Sequence, residues 1–328
     1  MMNVNVMKMI LDHYECGKQD TFAHQMANKW SYDEKTLDLI NASSNFAFEM
    51  KTAGVERILR VTHKSERSLE ILLAELDFIH YLDSNGIPVA KPIPSNNGEI
   101  VEQLHTKQGT FHGIVFEKIQ GKIIEMEEME DWQISNWGKM MAKMHDLSLK
   151  YKAHPERRRR YYDEDIDYWK QWIPKVERRF LTKINELKEW VSKLVEDKDQ
   201  YGLIHYDMSY DNFIWEGKKF SIIDFDDSAY YPFEADIAFA IDDIRTMKTG
   251  EQFLDTFIEG YTSQRKLRDT WKQEMEQFFV LEDFLKYARM RRAYHNVNPE
   301  NHLPWSKRMS KRHTQWFERA KKELDAYL

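Results

Sequence analysis

The chain has 328 residues, 31% of them charged and 13% aromatic, with 48 Lys and Arg against 55 Asp and Glu for a net charge of −7. That length holds a sizeable core and up to two domains of ordinary size, and the acidic balance argues against a nucleic-acid backbone or an anionic membrane as partner, since both call for a basic face. One cysteine, Cys16, excludes an internal disulfide and a multi-cysteine metal site, and without a secretory pattern near Met1 or an apolar run long enough to span a bilayer the chain reads as cytoplasmic.

A helical lead-in is followed, over Thr36–Thr62, by three strand-like segments, "TLDLINA", "NFAFEMK" and "VERILRV", with "TAGV" as a tight turn between the last two. Leu69, Leu72, Leu73, Leu76, Ile79 and Leu82 then recur at helical spacing, and Gly86 and Pro88 stop the helix. One amphipathic helix is therefore expected to pack on an antiparallel sheet. Glu99–Gln103 and Gly109–Ile119 are further strands. Beyond Gly121 helices dominate: "WQISNWGKMMAKMHDLSLKY", most of Tyr162–Glu196, and the chain from Ala235 to Leu328, interrupted by short strands in Leu203–Asp227. The run "ERRRRYY" at Glu156–Tyr162 reads as a solvated helix end or loop rather than a phosphate-binding patch.

The stretch "LIHYDMSYDNFIWEGKKFSIIDFDD" crowds carboxylates between apolar runs, where unpaired charge is costly. His205, Asp207 and Asn212 fit H-x-D-x-x-x-x-N, and Asp224-Phe225-Asp226 follows behind the strand-like "FSII". This arrangement resembles the catalytic and metal-binding loops of the aminoglycoside phosphotransferase and choline kinase-like family. The resemblance covers roughly Asn41 to Ile244 and implies an α+β, bilobal protein-kinase-like fold. A small N-terminal lobe (1–118) would carry the antiparallel sheet and one key helix, and a larger, mainly helical C-terminal lobe (119–328) would follow a hinge at about 116–121.

Phosphoryl transfer accounts for these residue types, because a hydroxyl acceptor needs a carboxylate to orient it and take its proton while a triphosphate needs a divalent metal on hard oxygen ligands. In this reading Asp207 is the base, Asn212 and Asp224 hold Mg²⁺, and His205 braces the loop. Asp236 in "FEADIAFA" resembles the family's structural aspartate. Asp211 and Asp227 are candidates to face the acceptor.

For ATP, strand alternation puts Ile58 and Arg60 on one face and Leu59 and Val61 on the other. Arg60 and Glu75 occupy the places where related kinases pair a strand lysine with a helix glutamate, and arginine can fork onto carboxylate and phosphate together. The turn "NASSNFAF" has no glycine, so Ser44 and its neighbours either cover phosphate or form a plain polar hairpin. "IVFEKIQG" resembles the connector whose backbone at Glu117 and Ile119 would bond adenine, with Ile58, Ile214 and Ile223 sandwiching the ring; GTP is left open as the donor.

"YYDEDIDYW" and "AIDDI" are acidic with aromatics nearby, which would suit a cationic hydroxylated ligand, although a solvated acidic helix start is the default. The expectation is an ATP- and Mg²⁺-dependent kinase acting on a small-molecule hydroxyl, without nucleic-acid or membrane partner and with no bearing on oligomeric state. The alternatives are a bacterial Ser/Thr protein kinase, which "IDFDDSAYYPFEADIA" favours, and a nucleotide-binding regulator without activity, against which the intact Asp207, Asn212 and Asp224 count.

Overall fold

The computed structural model describes residues 1–14, 21–297 and 304–328, so Cys16 lies outside the described residues. Helices α1 (Val4–Tyr14) and α2 (Phe22–Ala27) precede strands β1 (Asp38–Ala42), β2 (Phe46–Thr52) and β3 (Val55–His63), which pair antiparallel in sequence order. Ala53 and Gly54 both take positive φ, 49° and 78°, the geometry that a two-residue hairpin turn demands. After α3 (Leu69–Ser84) come β4 (Pro92–Ile93), β5 (Glu102–Thr106) and β6 (Gly109–Glu117). Strand β6 pairs with β3 from Arg57↔Glu117 to His63↔Phe111, while β5 and β4 share its other edge.

Period-two burial fixes which face of this sheet points where. Phe46, Phe48 and Met50 of β2, with Leu59 and Val61 of β3, are buried in one cluster with Met7, Phe22, Met26 and Trp30 of the lead-in helices and the turn after them. The opposite face meets α3, which is capped at its start by the Ser68 hydroxyl and closed by Gly86 at φ 79°. Leu72, Leu76, Phe78, Ile79 and Leu82 of α3 belong to the main core, together with Trp137, Phe213 and Phe225. The helix expected to pack on the sheet thus also fastens the sheet to the helical part.

The second part comprises α4 (Asp131–Ser148), α5 (Tyr162–Lys170), α6 (Arg178–Leu194), β7 (Tyr201–Ile204), β8 (Phe213–Glu216), β9 (Lys219–Ile222), β10 (Ala229–Pro232), α7 (Phe233–Ala240), α8 (Gly250–Thr262), α9 (Trp271–Ala293) and α10 (Pro304–Asp325). Tyr162–Glu196 is mostly helical as expected, in two helices, because Pro174 between them lacks a donor and pushes its predecessor out of helical geometry. Strands β7 with β10 and β8 with β9 form two short antiparallel pairs. Helices α4 and α8 touch backbone to backbone: a Cβ on Gly138 would lie 2.2 Å from the Phe257 carbonyl oxygen, and one on Gly260 2.1 Å from that of Ser135. Among the described residues no helix is long and apolar enough to cross a membrane.

Candidate active site

The loop after β7 is held from beneath by Asp236, wholly buried in α7. Its carboxylate accepts the backbone N–H groups of His205 (3.2 Å) and Tyr206 (2.8 Å), and a bond from His145 Nε2 (2.9 Å). These bonds hold Tyr206 at φ 78°, a left-handed conformation that costs a residue with a β-carbon about 1–3 kcal/mol. The buried His205 ring donates from Nε2 to the Ile223 carbonyl (3.1 Å), the Ile223 N–H reaches the Asn212 carbonyl (3.1 Å), and Asn212 Nδ2 donates to the Asp207 carbonyl (2.7 Å). Burial lowers the His205 pKa and so favours the neutral ring. His205 and Asp236 therefore brace the loop, which binds the two motifs into one network.

Asp207 faces the cleft, where withdrawal from water and then Asp227 and Asp211 push its carboxyl up to about 6, against a bond from the Ser209 hydroxyl. Asp224 sits at φ 64°, raised to about 7 by withdrawal from water and then by neighbouring Asp226. Asn212 is buried with its amide nitrogen committed to Asp207, so its side-chain oxygen is the atom left to offer. Among the described residues no three His, Cys, Asp or Glu side chains close around one point. Mg²⁺ does not need such a cage, since it keeps several waters and takes one or two protein oxygens beside substrate phosphate. Asn212 and Asp224 fit that donor set.

Arg60 on β3 and Glu75 on α3 form a buried, two-pronged ion pair, Nη1 to Oε1 at 2.7 Å and Nη2 to Oε2 at 2.8 Å. Arg60 also lies over the Phe116 ring, 5.1 Å from its centroid. The alternation read from sequence holds here, with Leu59 and Val61 on the opposite, buried face. Arg67, just before α3, was not singled out in the sequence. It donates to Asp226 (3.1 Å) and Asp227 (2.7 Å), and, against the withdrawal of Asp227 from water, Arg67 together with the Met1 ammonium, Arg289 and Arg159 holds the Asp227 carboxyl below its ordinary range.

The other nucleotide candidates are only partly assembled. Ser44, in the β1–β2 turn, reaches the same cavity as Asp207. The Glu117 N–H is taken by the Lys91 carbonyl (2.9 Å), which leaves the Glu117 carbonyl. Ile119 and Ile214 line one groove of about 620 Å³ with Lys139 and Lys143 of α4, but Ile58 and Ile223 are not part of its wall. The apolar sandwich expected around a purine ring is therefore not closed as one cavity.

The cavity beside Asp207, about 330 Å³, is lined by Asp211, Asp227, Asp242, Asp243 and Glu282, with Lys286 and Arg289 of α9. Lys286 pairs with Asp242 (2.5 Å) and Arg289 with Glu282 (2.8 Å), and Arg67 holds Asp227. Among the described residues Asp207, Asp211 and Asp243 have no ion-pair partner. "AIDDI" does open a short helical turn, Asp242–Thr246, with Asp243 exposed, and from there it supplies Asp242 and Asp243 to this cavity. "YYDEDIDYW" stays outside its wall, and its Asp165 is buried and bonded by Trp169 Nε1 (3.1 Å) and the Tyr231 hydroxyl (3.1 Å). The run "ERRRRYY" departs from the solvated reading as well, because Arg159 is buried at 6% exposure.

Residues 38–274 match the sequence profile of the phosphotransferase enzyme family. Amicoumacin kinase of Bacillus subtilis (strain 168) is 25% identical over 282 residues, which span 82% of this chain and 84% of that protein. An amicoumacin kinase solved in complex with AMP-PNP, Ca²⁺ and Ami superposes with a TM-score of 0.81 at 23% identity, covering 96% of each chain. A microcompartment-associated aminopropanol kinase gives 0.70 at 22% identity over 84% of this chain and 90% of that one. The family profile covers well over half of the chain and the superposition shares the bilobal, protein-kinase-like architecture: the chain belongs to the phosphotransferase enzyme family.

Proposed function

We propose that this protein transfers the γ-phosphoryl group of ATP, with Mg²⁺, to a hydroxyl of a small molecule that carries at least one protonated amine. The observation that carries this reading is the cavity in which Asp207 stands beside two further carboxylates without cationic partners, Asp211 and Asp243. Three such carboxylates, each open to solvent and gathered on one cavity wall, favour a bound cation and repel an anion. A bond forms between the acceptor oxygen and the γ-phosphorus, the bond from that phosphorus to the bridging oxygen of ADP breaks, and the hydroxyl proton passes to Asp207. A carboxyl with a pKa of about 6 is ionised at neutral pH and more basic than an ordinary aspartate, as a general base should be.

In the same reading Asn212 and Asp224 hold Mg²⁺, which neutralises charge developing on the phosphates. Arg60, fixed by Glu75, reaches the phosphates, Ser44 covers them, and the Glu117 carbonyl and Ile119 backbone meet the base. Residues 1–118 act as the nucleotide lobe and 119–328 as the acceptor lobe. The test is coupled ADP release with amine-bearing alcohols such as aminoglycosides and choline against uncharged sugars, with ATP and GTP compared. Turnover confined to neutral acceptors would overturn the amine assignment, and the absence of MgATP binding would overturn the nucleotide assignment.

A further inference from the structure

Within the run Arg157–Arg160 the arginines are not equivalent. Arg157 and Arg158 are exposed, whereas Arg159 is buried. Arg159 donates from Nε to the Ser228 carbonyl (2.7 Å), from Nη1 to the Ile71 carbonyl (3.1 Å) and from Nη2 to the Asp226 carbonyl. Among the described residues it forms no ion pair. A guanidinium withdrawn from water without a carboxylate is expensive, and here three backbone oxygens alone receive it.

Those three oxygens come from two places that phosphoryl transfer must keep in register. Asp226 and Ser228 continue the turn that begins at Asp224. Ile71 lies in the first turn of α3, four residues before Glu75, whose amide the helix directs back at the Ile71 carbonyl. We propose that Arg159 is a positioning residue: its planar fork sets the spacing between the Asp224–Asp227 turn and α3, and so where Asp224 stands relative to the Arg60–Glu75 pair. Arg159 itself touches neither nucleotide nor acceptor. Lysine, with a compact ammonium in place of a fork, cannot span three carbonyls in one plane.

The inference rests on the nucleotide-binding reading above, and binding measurements separate the two. Calorimetry is run with MgATP and with adenosine on wild type, Arg159→Met, Arg159→Lys and the exposed-site control Arg157→Ala. Wild type that binds no MgATP would overturn the functional reading. With wild-type binding established, Arg159→Met is expected to weaken MgATP at least tenfold and adenosine less than twofold, Arg159→Lys to fall between, and Arg157→Ala to match wild type. Equal loss of both ligands in Arg159→Met, or unchanged MgATP affinity, would overturn the proposal. If Arg159→Met does not fold, the same comparison on Arg159→Lys decides. Arg159→Ala supplied with methylguanidinium is expected to regain MgATP affinity, and failure to do so while folded counts against the fork.

Discussion

Arg60 and Glu75, fifteen residues apart on a strand and the following helix, meet through two hydrogen bonds of 2.7 and 2.8 Å, and Glu75 has no exposed surface. Removing one member leaves the other charged and buried, which costs about 3–5 kcal/mol in comparable pairs. Arg60→Ala is therefore expected to lower the unfolding free energy by that order and to cut kcat/KM for ATP. The double mutant with Glu75→Ala should do little further harm. A double-mutant cycle on kcat/KM that departs from additivity by less than about 0.5 kcal/mol would show that the pair does not act as one unit.

Asp207→Asn removes the proposed proton acceptor but keeps the shape of the loop, since the Asn212 amide bonds the Asp207 backbone carbonyl and not its side chain. MgATP affinity should stay within a few-fold of wild type while phosphoryl transfer falls by about 10²–10⁴. Single-turnover transfer within tenfold of wild type would take Asp207 out of the role.

Asp243 lines the cavity proposed for the acceptor and, among the described residues, forms no ion pair, since Lys286 in the same wall is paired with Asp242. Asp243→Asn should raise KM for an amine-bearing acceptor by roughly tenfold, equivalent to about 1.4 kcal/mol, and leave KM for ATP unchanged. Steady-state kinetics in both substrates checks this. A rise in KM for ATP alone would move Asp243 to the nucleotide side.

Glu164 at the start of α5 gives the stability a pH dependence. The bond from Arg158 and then the Tyr161 N–H hold its carboxyl down at about 2, against a partial loss of hydration. A carboxylate whose folded pKa is depressed stabilises the fold above its unfolded pKa near 4.5, and that contribution disappears as pH falls through about 2. Both side chains are well exposed, so the contribution is a few tenths of a kcal/mol. Glu164→Gln should thus unfold slightly earlier than wild type in urea at pH 7 and indistinguishably at pH 2.

The parts legible in the sequence are those set by near neighbours. Alternation placed Leu59 and Val61 on one face of β3 and Arg60 on the other, toward α3, the turn residues Ala53 and Gly54 marked the hairpin, and the network through His205, Asp207 and Asn212 reaches Ile223, next to Asp224. What stayed hidden depends on distant chain. Arg67 finds Asp227 from 160 residues away, and Arg159 finds the carbonyl of Ile71 from 88. A charge run has the composition of a solvated surface whether or not carbonyls converge on one member of it. Strand β4, two residues long, has no period to read and exists because β6 offers it an edge.

The glycine seam between α4 and α8 has a consequence for how the molecule opens. With the Cβ positions of Gly138 and Gly260 filled by the other helix's carbonyl oxygens, no side chain cushions the two helices at those points, and Trp137 against Phe253 and Phe257 locks the seam beside them. The two helices are either in contact or apart. Their amides should therefore exchange with deuterium in a single cooperative step, one protected block with one opening free energy, while α10 exchanges independently and sooner. Gly138→Ala, which forces the seam apart, should let both helices exchange faster together, and a change confined to α4 would mean that the contact does not couple them.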